Sequence, residues 1–95
     1  MNDSFFPALT TLFRNDVGLL SEHPTFVQLT WYPGLRAFPA FEALLAQLLG
    51  ALQTKRYLGV LVQQQLMVPY SPEEFTYLSQ QWIPRAVLRL SLIHI

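Results

Sequence analysis

Cysteine is absent from this 95-residue chain, and charged side chains are scarce. Without cysteine, the chain has no disulfide framework, thiolate zinc site, iron–sulfur cluster or cysteine nucleophile. Aspartate, glutamate, lysine and arginine together make up 13% of the residues, about half the share that is usual in soluble domains. The six basic and six acidic side chains cancel, so the broad positive field that favours nucleic-acid binding is missing. The composition therefore predicts no nucleic-acid partner.

Long hydrophobic runs are also missing. The longest apolar stretch, residues 37–52, is interrupted by Pro39, Glu42 and Gln47 and is shorter than the roughly 20 residues that span a bilayer. At the N-terminus, Asp3 stands where a secretory signal carries positive charge, and no apolar run follows it. We therefore expect no transmembrane segment and a cytoplasmic location.

Hydrophobic residues make up 52% of the chain, which predicts one packed domain with a single core. Residues 1–15 show no sustained period and are predicted to form an irregular leader or one short helical turn. Residues 17–22 and 26–32 flank a turn signal at residues 23–25, so an antiparallel hairpin is expected. Its second strand alternates with a period of two, and the apolar positions are Val27, Leu29 and Trp31.

The strongest periodicity lies in residues 38–52, where apolar side chains recur at spacings of three and four and predict a helix. Residues 57–63 form a short apolar run typical of an interior strand. A strand, a helix and a strand in this order predict a βαβ unit with two parallel strands. Residues 87–95 also have strand character. The expected fold class is α/β: a mixed sheet of about four strands, made from the hairpin and the βαβ unit, with helices on one face.

A second helix is predicted to begin after Ser71. Ser71, Pro72 and Glu74 stand at the N-cap, N1 and N3 positions of a capping box. Pro84 is expected to end or kink this helix near Trp82, because proline cannot donate a backbone hydrogen bond.

The order of these elements resembles the first two thirds of a STAS-like domain, the fold of anti-sigma-factor antagonists. Three segments are similar to uncharacterised bacterial STAS-like (SpoIIAA-like) proteins: MVPYSPEE at residues 67–74, YL at 77–78 and WIPRA at 82–86. The resemblance covers about residues 12–88. It implies a sheet of four or five strands with helices on one side, and a bacterial protein-interaction domain with a regulatory role.

The resemblance also implies that the single domain, residues 1–95, is incomplete at its C-terminus, since such proteins continue with another helix and often a strand. The last residues, LSLIHI at 90–95, resemble the translation of a sequencing-library adapter. We therefore treat residues 90–95 as a candidate non-native tail and give His94 no functional weight. An intact gene that stops after Ile95 would contradict this interpretation.

Ser71 is the sharpest candidate site residue. In the STAS-domain antagonists that the chain resembles, a phosphorylated serine at the start of the corresponding helix controls partner binding. Those proteins carry an Asp-Ser-Ser-Gly-like motif there, whereas this chain has Tyr70 before Ser71, and Glu73 and Glu74 after it. The two glutamates would repel a phosphate. A helix N-cap is therefore the favoured role for Ser71, and phospho-regulation is the alternative.

Other candidates are weaker. Gln63, Gln64 and Gln65 follow the predicted parallel strand and form a candidate ligand-end loop, because open α/β sheets bind ligands at that edge. His23 is expected to be an exposed turn histidine without a catalytic partner. Five aromatic residues are expected to pack mainly in the core, although they are also candidates to line a ligand pocket: Trp31, Tyr32, Tyr70, Tyr77 and Trp82.

Signatures of catalysis are missing from the sequence. It has no Gly-rich phosphate loop, His-x-x-x-His pair or Gly-x-Ser-x-Gly elbow, and Glu73 and Glu74 would point about 100° apart on a helix. We expect no enzyme activity, no cofactor and no metal site. The leading hypothesis is a non-enzymatic STAS-like protein-interaction or regulatory domain whose partner is an unknown protein or a second copy. The alternative is a small-molecule binding domain for an apolar ligand or lipid.

Overall fold

The structure is a computed structural model that describes residues 10–55 and 57–86, together with the backbone of residues 91–94. Within these residues, five strands form one sheet in the order β1-β2-β3-β4-β5. The first three strands are antiparallel neighbours, and β3, β4 and β5 are parallel. In chain order the elements are β1 (Thr10–Arg14), β2 (Gly18–Glu22), β3 (Phe26–Trp31), α1 (Phe38–Thr54), β4 (Gly59–Gln63), α2 (Pro72–Tyr77), a π-helical turn (Leu78–Trp82), α3 (Ile83–Ala86) and β5 (Ser91–His94).

The predicted α/β class is confirmed, as are the hairpin β2–β3 and the parallel pairing of β3 with β4. The predicted irregular leader is wrong for residues 10–14, which form β1 at the edge of the sheet. The register of β1 against β2 shifts between Thr11 and Phe13. This irregularity leaves Leu12 and Phe13 both half-buried, so the alternation that marks a strand in the sequence is lost. Residues 1–9 lie outside the described residues.

One face of the sheet packs against the helices. In β3, the apolar residues Val27, Leu29 and Trp31 are buried while the residues between them are half-exposed, as the period of two predicts. Val60 and Val62 of β4 lie directly beside Val27 and Leu29 in the parallel register. The helix α1 covers this face with the buried stripe Phe41, Leu44, Leu45, Leu48 and Leu52.

Gly18 lets α1 approach β2 closely. A Cβ atom at this position would lie 2.6 Å from the Leu44 Cδ2 atom and 2.8 Å from the Thr30 carbonyl oxygen. The turn before Gly18 is fixed to the helix as well, since the Asn15 side chain donates to the Ala40 carbonyl over 2.9 Å and accepts from the Val17 N–H over 3.0 Å. The hairpin and α1 therefore form one packed unit.

We call α2, the π-helical turn and α3 together (residues 72–86) the second helical segment. An end at Trp82, one of the two predicted alternatives, is wrong, because the helical path continues to Ala86. Over Leu78–Trp82 the backbone bonds follow the wider π pattern, and the Ile83 N–H donates to the Leu78 carbonyl five residues earlier. In a regular α-helix the ring of Pro84 would clash with the carbonyl four residues before it. The π-helical turn widens the helix just before Pro84, which lets the helical path continue.

Residues 91–94 form β5, which pairs in parallel with β4. The predicted strand began at residue 87, and residues 87–90 and 95 lie outside the described residues. The interpretation of residues 90–95 as a non-native tail stays a prediction. None of the described helices is both long enough and apolar enough to cross a bilayer.

Candidate functional site

An apolar cavity of about 170 Å³ lies between the sheet and the two helical segments. Its floor is formed by Leu29 of β3 and by Val60 and Val62 of β4. These three side chains share a sheet face because Leu29 pairs with Val62 and residue 60 is two positions earlier. Leu45 and Leu48 of α1 close one side.

The second helical segment forms the other side of the cavity. Phe75, Leu78, Ser79, Trp82 and Ile83 line it, at the spacings of three and four that place residues on one helical face. Leu78 and Trp82 are buried, while Phe75 and Ser79 are exposed. Phe75 and Ser79 are therefore residues of this side that contact both the cavity and solvent.

The polar groups around this cavity are already bonded within the protein. The Trp82 Nε1–H donates to the Leu45 carbonyl over 2.7 Å, and the Ser79 hydroxyl donates to the Phe75 carbonyl over 2.9 Å. Tyr70, which also lines the cavity, accepts hydrogen bonds at its hydroxyl from the side chains of Trp31 and Gln64. The cavity wall thus offers hydrocarbon and ring surface rather than hydrogen-bonding groups.

Next to the cavity, a buried ion pair joins two loops and the start of α2. Arg36 lies in the loop between β3 and α1, and its guanidinium donates from Nη2 and Nε to the two carboxylate oxygens of Glu74 over 2.7 and 2.9 Å. The same Nη2 donates to the Pro69 carbonyl over 3.2 Å. The guanidinium carbon lies 5.5 Å from the ring centroids of both Trp31 and Tyr70, within the range of cation–π attraction. We call this group, Arg36 with Glu74, Pro69, Trp31 and Tyr70, the arginine clamp.

Glu74 takes part in both the arginine clamp and the capping box of α2. Its Oε1 accepts from the Ser71 backbone N–H over 2.9 Å, and its own N–H donates to the Ser71 hydroxyl over 3.1 Å. Burial raises the pKa of the Glu74 carboxyl, but the hydrogen bonds from Arg36 and Ser71 outweigh that effect and hold the pKa below its ordinary value. Burial also raises the pKa of the Tyr70 hydroxyl, against the opposing hydrogen bonds from Gln64 and Trp31.

Ser71 is the N-cap of α2, and both reciprocal bonds of the capping box are present, as the sequence predicted. Phosphorylation of Ser71 stays a prediction. Glu73 is exposed, whereas Glu74 is buried, so the two glutamates differ in their contact with water although they are adjacent in the sequence.

The three glutamines lie near the end of β4 and do not line the cavity. The Gln63 side-chain oxygen accepts from the Gln65 N–H over 3.0 Å and closes the turn. Gln64 reaches the cavity wall indirectly, through its 3.3 Å bond to the Tyr70 hydroxyl. Gln65 is exposed. Their role as a ligand-end loop stays a prediction.

The prediction for His23 is wrong, because this side chain is buried and not exposed. Its ring stacks on Phe26, with the centroids 4.4 Å apart and the planes 5° from parallel. The predicted turn around Pro24 is confirmed, since the His23 N–H donates to the Phe26 carbonyl. A turn signal describes the backbone only, and the ring packs back onto the sheet beside it.

The five candidate aromatic residues have different roles. Tyr70 and Trp82 line the cavity. Trp31 is a core residue that stacks on Phe41 with a centroid separation of 5.4 Å, and Tyr77 packs edge-on against Phe38. Tyr32 is half-buried at the end of β3.

Arg36 is the site residue that the sequence did not reveal. It is one arginine in a loop, 38 positions away from Glu74, and no spacing rule connects two residues so far apart. The capping box located the Glu74 carboxylate at the start of α2, but no signal in the sequence identified its basic partner.

Among the described residues, no three histidine, aspartate or glutamate side chains lie close enough to hold a metal ion. Comparisons with protein-family models, curated proteins and solved structures find no match to this chain. The STAS-like resemblance therefore rests on the sequence segments alone and stays a prediction.

Proposed function

We propose that this chain is a non-enzymatic, STAS-like protein-interaction domain with a regulatory role in the bacterial cytoplasm. The observation that carries the proposal is that three exposed apolar side chains stand on the two loops that follow the carboxyl ends of β3 and β4. Leu35 is 91% exposed and Leu66 is 74% exposed, and Val68 is exposed as well. Exposed apolar side chains mark interaction surfaces where they form one contiguous patch.

The arginine clamp joins the two loops that carry these side chains. Leu35 precedes Arg36, and Val68 precedes Pro69, whose carbonyl accepts the 3.2 Å hydrogen bond from Arg36. The two loops that carry the exposed residues are therefore tied together at adjacent positions. A surface that is held in place before binding loses less conformational entropy when a partner docks. We call Leu35, Leu66 and Val68 the loop surface.

A second copy of the chain is the first partner that we expect, and sedimentation velocity over a range of protein concentrations tests it. The wild-type protein should associate as its concentration rises. The double variant Leu35→Ser/Leu66→Ser should weaken this association without loss of folding, because both side chains are largely in water. Leu58→Ser is the matched control, since Leu58 is 76% exposed but lies before β4, at the opposite end of the strands. A wild-type protein that stays monomeric at every concentration would contradict self-association.

Ser71 gives the proposed regulation a testable position. Ser71 is exposed and lies two positions after Pro69, at the end of the loop that carries Leu66 and Val68. A phosphate there would meet Glu73 and the ion-paired Glu74, so like-charge repulsion would disturb the capping box and the clamp. Ser71→Asp should therefore weaken association, whereas Ser71→Asn should keep it, because asparagine is a good N-cap without the charge.

The alternative function predicted from the sequence, binding of an apolar small molecule, would use a different part of the molecule. The loop surface contributes no side chain to the cavity lining, so variants can separate the two functions.

A further inference from the structure

We propose that the cavity between β3, β4, α1 and the second helical segment binds one small, uncharged, apolar molecule of about the size of a single aromatic ring. This inference goes beyond the interaction function and does not depend on it. It rests on the size of the cavity, on its lining and on the way its polar groups are already bonded.

The volume sets the size of the ligand. At about 170 Å³, the cavity is close to an engineered protein cavity of about 150 Å³ that is lined by aliphatic and aromatic side chains, stays dry and binds benzene. A full acyl chain does not fit into such a volume. The cavity is therefore suited to a compact ring or a short branched hydrocarbon rather than to a membrane lipid.

The lining sets the chemistry of the ligand. The cavity side chains are aliphatic or aromatic except for Ser79, whose hydroxyl is committed to the Phe75 carbonyl. The Trp82 N–H is committed to the Leu45 carbonyl. A ligand hydroxyl or carboxylate would exchange its bonds to water for a wall whose described side chains are almost wholly apolar, which is costly. An apolar ring has no hydrogen bonds to water to lose, and it gains van der Waals contacts with the wall.

We infer that the entrance lies on the outer side of the second helical segment. Phe75 is 63% exposed although it lines the cavity, and Ser79 is exposed beside it. Ser79 also lies within the π-helical turn, the widened part of the helix. A small molecule can therefore reach the cavity past these two side chains without the core having to open.

The test is a titration of the full chain with benzene, followed by the two indole N–H signals in ¹H–¹⁵N NMR spectra. Trp82 lines the cavity and Trp31 does not, so the Trp82 signal should shift and saturate while the Trp31 signal moves less. Benzoate, the same ring with a charge, should cause no saturating shift. The variant Leu35→Ser/Leu66→Ser should bind benzene as the wild type does, which separates this proposal from the interaction function.

Two variants at one position change the cavity in opposite directions. Val62→Phe fills it and should weaken benzene binding by at least about tenfold, because an overpacked site excludes further atoms. Val62→Ala enlarges it and should admit naphthalene, which we expect the wild type to exclude. Val27→Ala is the control, since Val27 is buried on the same sheet face but does not line the cavity, and it should leave the choice of ligand unchanged.

The proposal is overturned if wild-type protein gives no saturating Trp82 shift up to the solubility limit of benzene. It is equally overturned if benzoate shifts this signal as benzene does, or if a folded Val62→Phe protein keeps the wild-type affinity. If Val62→Phe does not fold, the ligand choice of Val62→Ala against Val27→Ala decides, and acceptance of naphthalene by both or by neither contradicts the assignment to this cavity.

Discussion

An ion pair lies at each end of the parallel strands, and the two pairs differ mainly in their contact with water. Arg36 and Glu74, at the carboxyl ends, have side chains that are 3% and 5% exposed. Lys55 and Glu22, at the amino ends, are 58% and 13% exposed. The nitrogen–oxygen distances are nearly equal, 2.7 and 2.8 Å. Exposure, rather than distance, should therefore decide how much each pair matters for stability.

The two pairs also differ in what they connect. The arginine clamp joins the loop before α1 to the start of α2 and keeps the loop surface in place. At the other end, the Glu22 carboxylate accepts from the Lys55 ammonium over 2.8 Å and from the Tyr57 hydroxyl over 2.6 Å. This second group joins the turn end of the β2–β3 hairpin to the start of β4. One end is thus organised around a buried charge, and the other around a charge that water still reaches.

The largest expected effect comes from breaking the buried pair. Arg36→Met should lower the free energy of unfolding by about 3–5 kcal/mol, because it leaves the Glu74 carboxylate buried without its partner. Chemical denaturation followed by tryptophan fluorescence measures this loss. Lys55→Met is the matched change at the other end and should have little effect, since exposed ion pairs are weakened by water and salt.

A double variant shows whether the buried charge is responsible. Arg36→Met/Glu74→Gln should lose less stability than Arg36→Met alone, because glutamine removes the unpaired charge and still serves the capping box. Equal losses in the single and double variants would mean that packing of Arg36 on the two rings, and not its charge, accounts for the effect.

The next effect is the response to acid. The pKa of Glu74 in the folded protein lies below its ordinary value of 4.5, so its contribution to stability is present above about pH 4.5 and is lost as the pH falls through the lowered pKa. Glu74→Gln should therefore reduce the loss of stability at acid pH. The pKa of Glu22 is also lowered, by hydrogen bonds from Lys55 and Tyr57. Glu22→Gln should nevertheless reduce the loss of stability at acid pH by a smaller amount, because this group is more exposed. Denaturation midpoints measured from neutral pH to about pH 3 compare the two variants, and the reverse order would contradict the difference between the two ends.

The helix start tests the carboxyl end without touching a charge. Ser71→Ala should cost about 1 kcal/mol, because the Glu74 N–H loses its acceptor. Ser79→Ala is the same chemical change at an exposed position inside the second helical segment and should be neutral or slightly stabilising, since alanine has the higher helix propensity. Thermal unfolding of both variants measures the difference. Equal losses would show that the capping box adds no stability of its own.

Features that depend on local sequence could be predicted. The spacings of three and four gave α1, the alternation gave β3, and the residues Ser71 and Glu74 gave the capping box. The prediction fails where a local irregularity interrupts the pattern. A register shift hid β1 because it broke the period of two. Pro84 was predicted to end or kink its helix, and only the predicted end is wrong, because a π-helical turn allows the helix to continue.

Features that depend on distant residues could not be predicted. The arginine clamp joins positions 36 and 74, and the cavity is a gap left between two strands and two helical segments. A gap depends on how well side chains fill the space between elements, and no periodicity reports that. The burial of His23 belongs to the same group, because its turn signal says nothing about where the ring packs.

The last comparison concerns the amino ends and their response to alkali. Burial and, to a smaller extent, the hydrogen bond to Glu22 raise the pKa of Tyr57 to about 12 from its ordinary value of 10.0. A raised pKa means that the stabilisation is fully present below about pH 10 and is lost as the pH rises toward 12. Tyr57→Phe should remove this loss, since phenylalanine does not ionise, while Glu22→Gln should only reduce it, because burial is the larger cause. Denaturation midpoints from neutral pH upward measure both variants. If Glu22→Gln removed the alkaline loss completely, the carboxylate and not burial would control Tyr57, and this end of the molecule would be governed by charge as strongly as the clamp.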